Sequence, residues 1–169
     1  MSSFSSLRSR RFVHRQQATL QSWITFIIHS EGFALPIAAV QQVVPLDRIY
    51  GDPQRSGLSL TRYRDQEILV VDIGYRIFGN TPSLATSGAI ATPQLLLVVQ
   101  NSLGEAVGIP IDSPPLVRRL ADSSFAPIPQ AYLATGNLRY LNSQRITIAK
   151  NESFFILDVE SLVKSEIGA

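Results

Sequence analysis

The chain has 169 residues, 45% of them hydrophobic and 17% charged, with 10 glycines, 10 prolines and no cysteine. That length suits one domain, or two small units sharing a core, and hides roughly two-thirds of the surface an unfolded chain exposes, so no disulfide or metal is needed for stability. Lack of cysteine excludes a disulfide framework, a thiolate zinc site and a cysteine nucleophile, and it fits a reducing cytoplasm.

The formal net charge of +2 is unevenly placed. Residues 1–20 carry Arg8, Arg10, Arg11 and Arg15 and no acid, which leaves 11 basic and 13 acidic side chains for the rest. We read 1–20 as a disordered basic tail ahead of a single folded domain over 21–169. A segment of this composition also admits an anionic-surface contact or an organelle transit peptide. The apolar run Trp23–Ile28 that follows is far too short to span a bilayer, and His29 and Glu31 interrupt it.

"SWITFIIHS" (22–30) and "EGFALPI" (31–37) predict two strands joined by a tight turn at Ser30-Glu31-Gly32. Phe33, Leu35 and Ile37 alternate onto one face of the second strand, and the first strand is apolar on both faces. Val40, Val43 and Val44, spaced helically after Ile37, predict an amphipathic turn or two. A polar loop with Gly51, Pro53 and Gly57 leads to a strand over 58–63, a turn at Arg64–Gln66 and a strand over 68–71. The uncharged stretch "NTPSLATSGAIATP" (80–93) reads as a linker.

The second half repeats the first. "QLLLVVQNSLGEAVGIPI" (94–111) is strand, turn, strand and an Ile-Pro-Ile ending, parallel to "ITFIIHSEGFALPI". "RITIAK" (145–150) and "SFFIL" (153–157) predict a hairpin, with a helix over "VESLVKSEI" after it. In each half a buried aliphatic strand ends in an acid, Asp72 or Asp158. Aspartate is favoured at a helix N-terminus, where its carboxylate accepts a backbone N–H and opposes the helix dipole, so both residues are expected as structural caps.

Many short strands with Gly and Pro turns predict a mostly β fold: two small five-stranded β-barrel subdomains packed together, with short helices and a C-terminal helix. The approximate halves, 21–79 and 94–169, are each too small to be comfortable alone. They should pack against each other and leave a groove.

Catalytic chemistry is not legible. The histidines are His14, in the tail, and His29, beside the first turn; no G-x-S-x-G elbow, phosphate loop or cluster with metal-ligand spacing occurs. The reading is no enzyme, no cofactor, no metal and no small-molecule substrate. Nucleic acid is disfavoured as a partner, because the folded part has no basic stripe with interleaved aromatics. The alternative class is a nucleic-acid or anionic-surface binder acting through the tail.

"FALPIAAVQQVVPL" followed by "RDQEILVVDIGYRIFG" resembles the CheW-like coupling domain of bacterial chemosensory systems. The matching series includes Phe33-x-Leu-x-Ile-x-x-Val40-Gln-x-Val43, Gly57, Arg64 ahead of Asp72, Gly108-Ile-x-Ile-Asp112, and Ile156-Leu-Asp158. It covers roughly 20–165.

The resemblance implies two five-stranded barrels with a groove between them, and a cytoplasmic, non-catalytic adaptor. Such an adaptor couples a CheA-like histidine kinase, through its CheW-like regulatory domain, to the tip of a methyl-accepting-type chemoreceptor. It also implies partner contacts at Val40, Gln41 and Gln42, on the helical turn lining the receptor groove, and at Arg64, with Arg62 as the other alignment of the family's hairpin arginine. Asp65 stands where the family has glycine, Leu69 where it has proline, and "DSPPLVRRL" replaces an apolar segment. Beside this stand plainer readings: Val40 as core filling, and Arg62 and Arg64 as charges that guard an edge strand.

Overall fold

The computed structural model describes residues 19–52, 54, 56–79, 95–133, 138–149 and 151–167. The 80–93 linker and residues 1–18 of the tail lie outside them. The first half contributes β1 (Gln21–Ile28), β2 (Glu31–Pro36), β3 (Val40–Pro45), β4 (Leu58–Tyr63), β5 (Gln66–Val71) and α1 (Ile73–Phe78). The second contributes β6 (Leu95–Gln100), β7 (Ala106–Ile111), β8 (Leu116–Leu120), β9 (Phe125–Pro127), α2 (Gln130–Leu133), β10 (Leu141–Ala149), β11 (Glu152–Leu157) and α3 (Val159–Ile167).

Local chemistry explains most boundaries and corrects two expectations. The β1–β2 turn is His29-Ser30, with φ of 49° and 68°, and not Ser30-Glu31-Gly32. Two left-handed residues form a turn whose twist matches that of the flanking strands, so Glu31 and Gly32 pair with Ile28 and Ile27. Gly32 serves packing: a Cβ there would lie 2.7 Å from both the Phe154 ring and the Ser153 carbonyl.

The predicted helix at Val40–Val44 is also corrected. Only Ile37–Ala39 forms a 3₁₀ turn, and Val40 starts strand β3. Val40 pairs with Val99 and Gln42 with Val98, so Gln41 is the extra residue of a bulge. That insertion brings Val40 and Val43 onto the same core cluster, mimicking helical spacing inside a strand.

The strands form two sheets, ordered β8-β1-β2-β11-β10-β9 and β3-β6-β7-β5-β4. Each parallel contact has a counterpart: β11 lies on β2 with Phe155 opposite Phe33, and β5 lies on β7 with Leu69 opposite Val107. The two orders match strand for strand once β9 is set aside. The repeat is therefore real in topology, and the mostly β architecture holds. Neither sheet, however, is built from one half. Each half lends its first hairpin to the sheet of the other, and the sheets hold six and five strands where two five-stranded barrels were expected.

Both sheets curl. Strands β8 and β9 stand at opposite ends of the first sheet yet are joined by the short 3₁₀ turn Asp122–Ser124. In the second, Tyr50, five residues past β3, pairs with Leu60 of β4 through backbone bonds of 3.0 and 2.8 Å. Alternating side chains thus fill three cores. Trp23, Ala34, Ile146, Phe154 and Ile156 pack inside the first curl, and Ile68, Val70, Leu96 and Val98 inside the second. The largest cluster lies between the sheets, with Phe26, Phe33, Leu35, Leu97, Val99 and Ile109 from the strands and Ile73, Leu162 and Val163 from the helices.

The two strand-to-helix switches have the same geometry. Asp72 Oδ1 accepts the Tyr75 N–H at 3.1 Å, and Asp158 Oδ1 accepts the Ser161 N–H at 3.2 Å. Before them, Asp72 N–H donates to the Gly57 carbonyl and Asp158 N–H to that of Tyr140, both at 2.8 Å. Gly57 has φ 81°, and a Cβ on it would meet the Tyr75 ring at 2.6 Å, so only glycine fits.

A polar knot joins the switches. Glu166 of α3, its side chain 3% exposed, accepts from Arg76 of α1 at 2.7 Å and from the hydroxyl of the fully buried Tyr140. Arg76 and Arg139 donate in turn to the Tyr140 oxygen at 3.1 and 2.6 Å. The knot holds the end of each half against the other.

Candidate functional site

Strand β3 and the β4–β5 hairpin sit at opposite ends of one sheet's order, and the curl of that sheet brings their side chains together. The Gln42 Oε1 accepts from the Tyr63 hydroxyl at 2.7 Å and from an Arg64 guanidinium N–H at 2.9 Å. The Arg64 guanidinium also stands over the Tyr63 ring, 5.1 Å from its centroid. A cation on an aromatic face, anchored by an amide, holds a long side chain in place without neutralising it.

The hairpin that presents Arg64 is tight. Tyr63 pairs with Gln66, leaving Arg64 and Asp65 as the two turn residues, with φ of 48° and 59°. Aspartate tolerates the left-handed region better than most residues, which explains how Asp65 occupies a place suited to glycine. Arginine has no such relief, so Arg64 carries a backbone cost in order to stand at the tip. Both side chains are exposed, with acid and base adjacent.

Of the residues singled out from sequence, Gln42 and Arg64 are directly bonded. Val40 is half-buried and packs on the central core, while Gln41, at the bulge, is exposed. Arg62 is exposed and lies across the strand pair from Glu67. Glu67 accepts the Tyr50 hydroxyl at 2.5 Å; this bond, with the negative charge of Glu67, raises the Tyr50 pKa above its ordinary value, and Arg62 partly opposes the shift.

Tyr63, Tyr50 and Glu67 were not among the residues singled out. The signal for Tyr63 was its place as the last residue before the turn, where a side chain reaches past the strand end. Nothing local signalled Tyr50, whose partner Glu67 is supplied by tertiary pairing. His29, expected beside a turn, is one of its two residues; a Cβ on Gly74 of α1 would lie 2.4 Å from its ring.

A groove of about 460 Å³ lies at the seam between the sheets. It is lined by Trp23, Pro36 and Ile156 of the first sheet, by Ala38 and Ala39 just before β3, and by Gln100 of the second. Val40, Gln41 and Gln42 do not line it; they continue from its rim. Among the described residues no three His, Asp or Glu side chains gather to hold a metal, and no helix is long and apolar enough to cross a membrane. The site offers an exposed arginine, amides, tyrosines and a partly apolar cleft, which is the equipment of protein recognition.

Comparison with known proteins is consistent with this architecture. The family model described as the CheW-like domain matches residues 22–166. The crystal structure of the scaffolding protein TtCheW from Thermoanaerobacter tengcongensis superposes with a TM-score of 0.64 at 20% identity, covering 82% of this chain and 89% of that one. No curated protein sequence matches. With both halves, both sheets and the seam inside the matched span, the chain belongs to the CheW-like domain family.

Proposed function

We propose that the protein is a non-catalytic adaptor, acting in the cytoplasm, that couples a CheA-like histidine kinase to a methyl-accepting-type chemoreceptor in signalling that controls motility. The observation that carries this reading is the family match over 22–166, which spans both halves and the seam between them. Its partners are the kinase's CheW-like regulatory domain and the receptor tip. Its contact residues are Val40, Gln41, Gln42, Arg62, Arg64 and Asp65; the bond between Gln42 and Arg64 supports this reading. Such a protein works by differential binding, holding kinase and receptor in one geometry so that receptor state biases kinase activity.

The test compares wild type, Arg64→Ala and a variant lacking the basic tail for binding to a histidine-kinase regulatory domain and to DNA, across a salt series. Wild type should bind the kinase domain, and Arg64→Ala should weaken that binding about tenfold with little change in melting temperature, because an exposed charge contributes little to folding. Absent kinase binding, with tight, salt-steep, tail-dependent DNA binding, would replace the adaptor reading with a nucleic-acid one.

A further inference from the structure

Tyr63 is held from below and grips from above. Half-buried, it packs with Val44, Leu46 and Ala106 against the Ile68, Val70, Leu96 and Val98 cluster inside the second curl. Its hydroxyl donates to Gln42 Oε1 at 2.7 Å. The exposed Arg64 uses both ends of this arrangement: its guanidinium stands 5.1 Å from the Tyr63 ring centroid and donates to the same Gln42 oxygen at 2.9 Å. A guanidinium only donates, so the amide oxygen must be the atom that faces it. Its other N–H groups have no acceptor among the described residues.

Charge near this tip is mixed. Asp65 is on the turn, Glu67 on β5, Asp47 after β3 and Glu105 after β6, with Arg62 and Arg48 nearby. Glu67 accepts the Tyr50 hydroxyl and Glu105 the Asn101 amide. Among the described residues none of these acids pairs with Arg64. No field of basic charge therefore draws a partner here. What the tip offers is one stacked and unneutralised guanidinium, oriented before any partner arrives.

We propose that Tyr63 is a positioning residue, which preorganises Arg64 as the receptor for a single Asp or Glu carboxylate on the kinase's regulatory domain. A guanidinium takes a carboxylate through two parallel N–H bonds only when its plane is correctly turned. Stacking on Tyr63 sets that plane, and Gln42 fixes one N–H. Without the ring, a long side chain must be frozen at the moment of binding, which costs affinity. The seam groove suits a helical receptor tip, whereas a rigid projection such as this hairpin suits the surface of a globular domain. This role rests on the adaptor reading, to which it adds the chemistry of one contact and the residue that prepares it.

The experiment titrates the full chain with a histidine-kinase regulatory domain by calorimetry. Tyr63→Leu should weaken binding about fivefold, and Tyr63→Phe, which keeps the ring and loses the Gln42 bond, should fall between it and wild type. In an Arg64→Ala background neither change should weaken binding further, because its effect passes through the guanidinium. Arg64→Glu should bind about tenfold more weakly than Arg64→Ala, since it sets like charges face to face. Should Tyr63→Leu fail to fold, Tyr63→Phe in the two backgrounds makes the same comparison. With wild-type binding intact, Tyr63 losses that add to that of Arg64→Ala, no Tyr63 effect at all, or an Arg64→Glu no weaker than Arg64→Ala would each overturn the role. Wild type that binds no kinase domain would instead sink the adaptor reading, and this role with it.

Discussion

Replacing Glu166 by alanine should destabilise the fold more than any surface substitution. The carboxylate is 3% exposed and serves two donors at once, the Arg76 guanidinium at 2.7 Å and the Tyr140 hydroxyl. Breaking a buried ion pair by removing one partner typically costs about 3–5 kcal/mol, because the other charge is stranded. Arg76 is not wholly stranded here: its side chain is 23% exposed, and it still donates to the Ser56 carbonyl and the Tyr140 oxygen. Its share is therefore about 1–2 kcal/mol. The buried Tyr140 O–H loses its acceptor, a further cost of about 1–2 kcal/mol. The sum, about 3 kcal/mol, corresponds to a fall in Tm of roughly 6–12 °C for a chain of this size. Glu166→Gln keeps an acceptor oxygen and loses only the charge, so it should cost about 1 kcal/mol. Thermal melts and urea titrations followed by circular dichroism measure both. A Glu166→Ala variant melting within about 2 °C of wild type would refute the claim that this knot fastens the two halves.

Three further predictions follow from local geometry. Asp72→Ala and Asp158→Ala should each cost about 1 kcal/mol in urea unfolding, with a serine at either position recovering part of it. Gly57→Ala should cost more than about 2 kcal/mol, since φ 81° and the Tyr75 ring both oppose a Cβ. The Tyr50 phenol should titrate above its ordinary pKa of 10.0 when followed by ultraviolet absorbance, and Glu67→Gln should bring it down. Its folded pKa is the higher one, so the Tyr50–Glu67 bond contributes fully below the unfolded pKa and is lost as pH rises through the folded value. A Glu67→Gln variant with an unchanged titration would show that the Tyr50 environment does not depend on this bond.

The periodicities that can be read one segment at a time were correctly legible. Strand β4 occurs at Leu58–Tyr63 as expected, the hairpins of the second half are present, and the C-terminal helix follows Asp158. Each depends on neighbours within a few residues: alternation, a turn pair or an acid at a strand end. The β3 error has the same origin turned around, because a one-residue bulge makes a strand carry helical spacing. The candidate site was only half legible. Arg64 and Gln42 could be named from a family-like string, but their bond to each other, and the tyrosine between them, required knowing that the sheet curls.

By itself the sequence determined most of the inventory: a mostly β chain with two copies of a hairpin, a second hairpin and a helix, with an aspartate at each strand-to-helix switch; the strand between the hairpins, β3 in one copy and β8 in the other, came only from the structure. Only the tertiary structure decided how the copies share their strands. Hydrophobic alternation states that a face is buried but not against what, and β1–β2 is equally apolar whether it joins its own half or the other. Backbone pairing of β2 with β11 and of β7 with β5 made that choice, and with it the seam.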